Sequence, residues 1–327
     1  MDIYFPEEVT PVKKTRTKKS DRAFSPPTLG YTDAEGVFVP IILRPSNYRI
    51  AEKLNEHVLR VRNDDMYARN WYAYASDRME DIVQEEKQRL LQEVEPECLM
   101  VRASSIKDCA RKTVFSLLKV EGSSVGNDRP HWAVSATIGE LIHREIRIML
   151  EYLGCVLQSE EYFHNQTWRL TGHPDHILDP TQFTHPDTGM NNLPMAVLDV
   201  KTVGPDDFKA FTWSEKVPGY VAQVSAYGAH LGVAHGVVLM VDRGSGKWLD
   251  FEFEIPPDYG LRMLQRAKAI AESADKRLLP SAEAITNGKM AYTCYLFCPY
   301  QSQCMEEEQS GSVQRWLNST DAEQRSM

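Results

Sequence analysis

A mixed α/β fold, with a central mixed β-sheet flanked by helices, is predicted by the order of patterns along this chain. Three observations lead there. Helical spacing of apolar residues recurs in separate blocks, at about 48–95, 102–154, 217–232 and 258–279. Between about 156 and 203 the texture changes to short extended runs broken by turns, and extended runs resume at 236–255. No internal repeat accompanies them.

The 327 residues suffice for one large domain with appendages or two modest ones, and 42% hydrophobic content can fill a core. No apolar run of about 18 residues exists to span a bilayer, and the opening MDIYFPEEV is acidic where a secretory signal would be basic, then apolar. A soluble, cytoplasmic protein without a membrane partner is therefore expected. In that reducing setting the six cysteines are read as metal ligands or small buried hydrophobes rather than as a disulfide framework. A formal net charge of −9 argues against a general nucleic-acid coat, while leaving room for a local basic groove.

Charge is unevenly distributed. Residues 1–45 contain the basic run PVKKTRTKKSDR at 11–22 and no periodicity, so they are expected to form a mostly extended or disordered arm, either solvated or touching nucleic acid. Residues 46–95 read as a helical extension, with runs around AEKLNEHVLRVR and DRMEDIVQEEKQRLLQEV. The main domain is expected at 96–305, followed by an acidic and polar tail at 306–327 that begins with Glu306, Glu307 and Glu308.

Within the main domain, a capping-box pattern at Ser105–Asp108 is expected to open a helix with Ile106, Ala110, Val114 and Leu117 on one face. ATIGELIHREIRIMLEYLG follows, with Ile138, Leu141, Ile142, Ile146, Met149 and Leu153 as one apolar stripe and His143 at its edge. The extended runs VLQSEEYFHN, TWRLTGHPDHILD and MAVLDVKTV come next, then the helix VPGYVAQVSAYGAHLG. GVVLMVDRGSGKWLDFEFEI reads as a hairpin turning at Gly244-Ser245-Gly246, and DYGLRMLQRAKAIAESADKRLL as a helix stopped by Pro280.

Chemistry concentrates in the strand AVLDVKT. Side chains alternate with period two, so Val197, Asp199 and Lys201 share one face and Leu198 and Val200 the other. An acid-x-Lys triplet alone is weak, since Glu85-Glu86-Lys87 and Asp207-Phe208-Lys209 have the same form. Upstream, GHPDHILD places Asp175 at the start of an extended run, and with Asp199 it offers the oxygen ligands that Mg²⁺ or Mn²⁺ prefers. A cation would offset the repulsion of two close carboxylates. His143 would add a nitrogen ligand; its ordinary reading is a boundary residue of its helix. Gln223 and Tyr227, four apart, share one helix face, with Tyr220 one turn earlier.

In this order, His143, GHPD ending at Asp175, Asp199-Val200-Lys201 and Gln223-x₃-Tyr227 resemble the PD-(D/E)xK nucleases, specifically their RecB-like exonuclease branch, over about residues 100–305. The resemblance implies a restriction-endonuclease-like core. It also implies His143, Asp175, Asp199 and the Val200 carbonyl as ligands of Mg²⁺ or Mn²⁺. Lys201 would activate the attacking water and stabilise charge on the phosphate, while Gln223 and Tyr227 steady Lys201 and contact DNA.

CYLFCPYQSQC places Cys294, Cys298 and Cys304 as C-x₃-C-x₅-C, and Cys109 is the best fourth thiolate. One cysteine before the motifs and three after them resembles the iron-sulfur subgroup of that branch, which includes AddB-type and CRISPR-associated RecB-like nucleases. There a 4Fe-4S cluster joins the two ends of the nuclease domain. The first gap here is one residue longer than the C-x₂-C often seen in it. Zinc is the rival metal, although structural zinc sites usually use two close pairs. Cys98 would compete with Cys109, and Cys155 reads as a buried filler.

The expected function is a metal-dependent exonuclease hydrolysing DNA, on single strands or ends, in recombination, repair, replication or degradation, with a structural 4Fe-4S staple. The alternatives are a catalytically silent DNA-binding or recombination accessory protein on the same scaffold, and a nuclease subunit working only with a helicase. No G-x-x-x-x-G-K-[ST] loop occurs, so unwinding would come from a partner.

Overall fold

The computed structural model describes residues 29–33, 35–92, 98–122, 130–185, 189, 193–209, 217–283, 294, 298–311 and 313. The basic run at 11–22, most of the expected tail and the segments on either side of Cys294 lie outside them. The architecture is mixed α/β: a central mixed sheet flanked by helices, with a helical region on its N-terminal side.

Strands β1 (Leu29–Thr32) and β2 (Phe38–Ile41) pair as a hairpin, and β3 (Arg44–Pro45) joins the edge of the main sheet. Part of the segment expected to be extended or disordered thus belongs to the folded body. Helices α1 (Ile50–Asn63) and α2 (Asp65–Gln92) follow. Next come β4 (Val101–Arg102), α3 (Ala110–Leu117), α4 (Pro130–Tyr152), and strands β5 (Val156–Ser159), β6 (Phe163–Asn165), β7 (Leu170–Gly172) and β8 (His176–Leu178). The chain continues through β9 (Ala196–Val203), α5 (Pro205–Lys209), α6 (Val217–Leu231), β10 (His235–Asp242), β11 (Trp248–Glu254), α7 (Pro257–Asp275) and α8 (Gln301–Ser310).

The main sheet runs β3-β11-β10-β9-β8-β5, with β9 and β10 parallel and the other neighbours antiparallel. A small sheet, β4-β7-β6, stands beside it. The period-two pattern of β9 sorts its residues between two cores. Val197 and Val203 pack with Val221, Val224 and Tyr227 of α6 and with Leu264 and Ile270 of α7. Leu198 and Val200 pack with Ile50 and Leu54 of α1, Trp71 and Ile82 of α2, and Ile146 and Met149 of α4. Each such buried aliphatic or aromatic side chain contributes about 1.5–3 kcal/mol, so both helical layers are held by apolar area rather than by propensity.

The hairpin of β10 and β11 turns where expected. Asp242 accepts from the Gly244 N–H at 2.9 Å and from the Ser245 hydroxyl at 2.5 Å, and Gly246 takes the left-handed conformation at φ 67°.

Four local expectations are corrected. The capping box at Ser105 does not open a helix: residues 103–105 form a 3₁₀ turn, and α3 starts at Ala110 with Cys109 at its N-cap position. The missing acceptor comes from far away, since Glu283 Oε2 accepts from the Ala110 N–H at 3.0 Å while its carboxylate is gripped by Arg266. The apolar stripe of α4 is buried only in its C-terminal half. Ile138 and Leu141 are 42% and 52% exposed, although Gly139 between them is buried against β9. Finally, α7 ends at Asp275, four residues short of the expected limit, where Lys276 caps it and Arg277 turns to φ 50°. The acidic residues Glu306–Glu308, assigned to a tail, continue α8 from Cys304.

Candidate active site

Strand β9 carries Asp199 and Lys201 onto the face covered by α6, and α6 brings Gln223 and Tyr227 to meet them. Asp199 is 1% exposed. Its Oδ1 accepts from Gln223 Nε2 at 3.1 Å, and its Oδ2 lies 2.8 Å from Lys201 Nζ. Apart from that ion pair, Oδ2 is a buried oxygen without a hydrogen-bond donor. Lys201 Nζ donates instead to Gln223 Oε1 at 3.1 Å, and Gln223 Nε2 also reaches Tyr227 OH at 3.4 Å. One amide therefore ties acid, lysine and tyrosine together.

Asp175 stands just before β8. The antiparallel register pairs His176 with Leu198, and one further step along it sets Asp175 opposite Asp199. Asp175 Oδ2 accepts from the Val200 N–H at 2.6 Å, which fixes the carboxylate against β9. Burial and the nearby charge of Asp199 push its pKa up to about 6, while His143, Lys201 and the Val200 N–H pull the other way. For Lys201, burial opposes the charge, but Asp199 and Asp175 outweigh it and hold the pKa above its ordinary value.

His143 arrives from the opposite layer. Its Nδ1 is 3.7 Å from Asp175 Oδ2, and its side chain is 29% exposed. Helix α4 can pass this close to the sheet because residue 139 is glycine: a Cβ there would lie 3.0 Å from Thr202 Oγ1 of β9. The ion pairs Arg78–Glu151, Arg144–Glu86 and Arg147–Glu85 lock α4 to α2 beside it. Gly172, the first residue of GHPD, has a similar use. A Cβ there would press on the Tyr227 ring at 3.1 Å.

All the residues singled out in the acid, lysine, histidine and glutamine motifs thus converge, with Val200 contributing its backbone. Lys107 was missed. It lies in the turn before α3, with Nζ 5.1 Å from the centroid of the Tyr220 ring, while Lys201 Nζ is 5.4 Å from the same centroid. An exposed turn lysine carries no local signal of such a role. Tyr220, between them, has its pKa pushed up to about 12, chiefly by burial.

Cys109 stands at the N-cap of α3, and the segment that carries Cys298 and Cys304 packs along that helix. Residues 298–311 dock on α3 and the turn after it through Gln303 Nε2 to the Glu121 carbonyl at 2.7 Å, Arg111 to Glu308 at 2.7 Å, and the tilted rings of Phe115 and Tyr300 with centroids 5.3 Å apart. Cys298 and Cys304 are buried, and Cys109 and Cys294 half-buried. Cys294 hydrogen-bonds to Cys298, and the charge of Cys109 is felt at all three of the others. Burial pushes each of these three thiols up, Cys304 to about 11 against the pull of Arg111. Cys155 is buried among apolar side chains beneath α4, as a filler would be. All six cysteines are free.

Among the described residues, no group of three or more His, Cys, Asp or Glu side chains is arranged to hold a metal ion, at the cysteines or elsewhere. Nor is any helix among them long and apolar enough to cross a membrane.

No family model and no curated protein matches the chain. Among solved structures it is similar to SSO0001, with 15% identity, 69% of this chain and 95% of that chain covered, and a TM-score of 0.41. It is also similar to LHK-Exo, an alkaline exonuclease from Laribacter hongkongensis, with 10% identity, 59% and 94% coverage and a TM-score of 0.38. The same exonuclease in complex with dAMP gives 11% identity, 59% and 94% coverage and 0.36. At such identities no residue of this chain inherits a role from them.

Proposed function

We propose that this chain is a metal-dependent nuclease that hydrolyses DNA phosphodiester bonds as an exonuclease, on single strands or strand ends. The observation that carries the reading is the buried Asp199 Oδ2, an oxygen without a hydrogen-bond donor, facing a second carboxylate and a lysine. An apolar interior does not tolerate such a pair without compensation.

The donor set suits Mg²⁺ or Mn²⁺. Mg²⁺ is usually held by one or two carboxylates, keeping its remaining positions for water and substrate phosphate, so a cage of three protein side chains is not required. Asp175 and Asp199 would supply the carboxylates, with His143 and the Val200 carbonyl beside them. When bound, the cation would lower the pKa of a coordinated water and polarise the phosphoryl oxygen.

The chain's own groups do the rest. Lys201, held charged by Asp199 and Asp175, orients the attacking water and offsets the extra negative charge of the transition state. Gln223 keeps Lys201 and Asp199 from rotating apart, and Tyr227 buttresses Gln223. A recombination or helicase partner is compatible with this chemistry.

For the cysteines, a 4Fe-4S cluster is the proposed ligand, with zinc second. The reading is supported by the docking of residues 298–311, with Cys298 and Cys304, on α3, the helix that Cys109 opens from the far end of the domain in sequence, and by Arg111, which supplies positive charge beside Cys304. Thiolates bound to such a cluster would be stabilised by that charge.

The test is cleavage of end-labelled single-stranded DNA with Mg²⁺ or Mn²⁺. Wild type should cut; Asp199→Ala and Lys201→Ala should be folded and inactive, Lys201→Ala by at least about 10²-fold. A folded wild type that cuts nothing, or an active double variant, overturns the reading.

A further inference from the structure

Lys107 has no part in the motifs, yet its geometry ties it to the site. It is exposed, and neither an ion pair nor a hydrogen bond is made by its ammonium among the described residues. The acids nearby are committed: Asp108 pairs with Lys112 at 2.9 Å and Asp199 with Lys201 at 2.8 Å. Its stem is held in place by α6, where a Cβ on Gly219 would collide with Lys107 Cδ at 2.6 Å. On the Tyr220 ring it shares a platform with Lys201.

Two ammonium groups on one aromatic ring repel each other. Only one of the two has a carboxylate partner. A second, unpaired cation kept at the mouth of an acidic site is costly unless an anion is brought to it. The anion that this site would admit is a backbone phosphate.

We infer that Lys107 is a substrate-contacting residue, whose ammonium takes a non-bridging oxygen of a strand phosphate next to the one served by Lys201. The inference rests on the nuclease reading above for its substrate class. Lysine suits such a task as a point charge, contributing affinity without reading sequence. Tyr220 and Gly219 act as positioning residues for it.

The experiment measures binding of a fluorescein-labelled oligo(dT) in EDTA, so that nothing is cut, across a salt series. Lys107→Met keeps the stem and removes the charge, Lys107→Arg restores it, and Lys87→Met on α2 removes a charge from the opposite layer. Lys107→Met should bind about tenfold more weakly at low salt, and its slope of log affinity against log salt should fall by about 0.7, the loss of one single-strand phosphate contact. Lys107→Arg should recover most of both, and Lys87→Met should change neither. An unchanged slope for Lys107→Met, with wild type binding, overturns the inference even if wild type cleaves DNA. A wild type that does not bind the strand overturns it too. A wild type that binds but never cleaves overturns the nuclease reading and leaves the result at Lys107 to stand on the slope.

Discussion

Lys201 donates from Nζ to Gln223 Oε1 across 3.1 Å, joining the strand that carries the acidic pair to the helix that covers it. The same amide donates from Nε2 to Asp199 Oδ1, so it can be oriented only one way round.

Gln223→Ala should therefore act on stability and chemistry together. Asp199 Oδ1 would be left buried without a donor, at about 1–3 kcal/mol. Cleavage should fall further than the lost stability explains, because Lys201 loses its brace. Gln223→Glu should be worse, placing a third carboxylate against Asp199. Thermal melting and cleavage on the same preparations check both; wild-type activity in either variant contradicts the bracing role.

A second prediction concerns pH. His57 is buried against Trp71, with its ring centroid 4.5 Å away and its Nδ1 bonded to Tyr67 OH at 2.9 Å, and burial holds its pKa below the ordinary 6.5. His176 is depressed by burial in the same way, to about 3. Below pH 6.5 the unfolded chain binds these protons more readily than the folded one, so stability present above 6.5 is lost as pH falls. Melting temperature should decline from neutral pH towards about pH 4, and His57→Phe should flatten part of that decline. A parallel shift of the whole curve would exclude His57 as its source.

The third prediction is that protein purified without oxygen is brown, and that Cys298→Ala loses both the colour and much of its thermal stability. Metal analysis separates iron from zinc. Retention of colour and melting temperature in Cys298→Ala would remove the staple from the account.

Much of the site was legible before the fold. Period two alone set Asp199 and Lys201 on one face and Val200 on the other, and the i,i+4 spacing set Gln223 beneath Tyr227. Those relations hold because they are local to one strand or one turn of helix. The capping box at Ser105 misled because a better acceptor, Glu283, reaches Ala110 from the far end of the domain. The exposed end of α4 misled because a hydrophobic period says which face a helix would bury, not where its covering ends.

By itself, then, the sequence determined the class of fold, the pairing of carboxylate with lysine on β9, and the order of the chemical groups along the chain. Tertiary structure decided the rest. It set Asp175 opposite Asp199 and bonded it to the Val200 N–H, let α4 approach at Gly139 so that His143 faces Asp175, and stood Lys107 beside Lys201 on Tyr220. The reason is physical: backbone geometry fixes neighbours a few residues apart, whereas contacts between elements depend on how two separate cores close over opposite faces of one sheet.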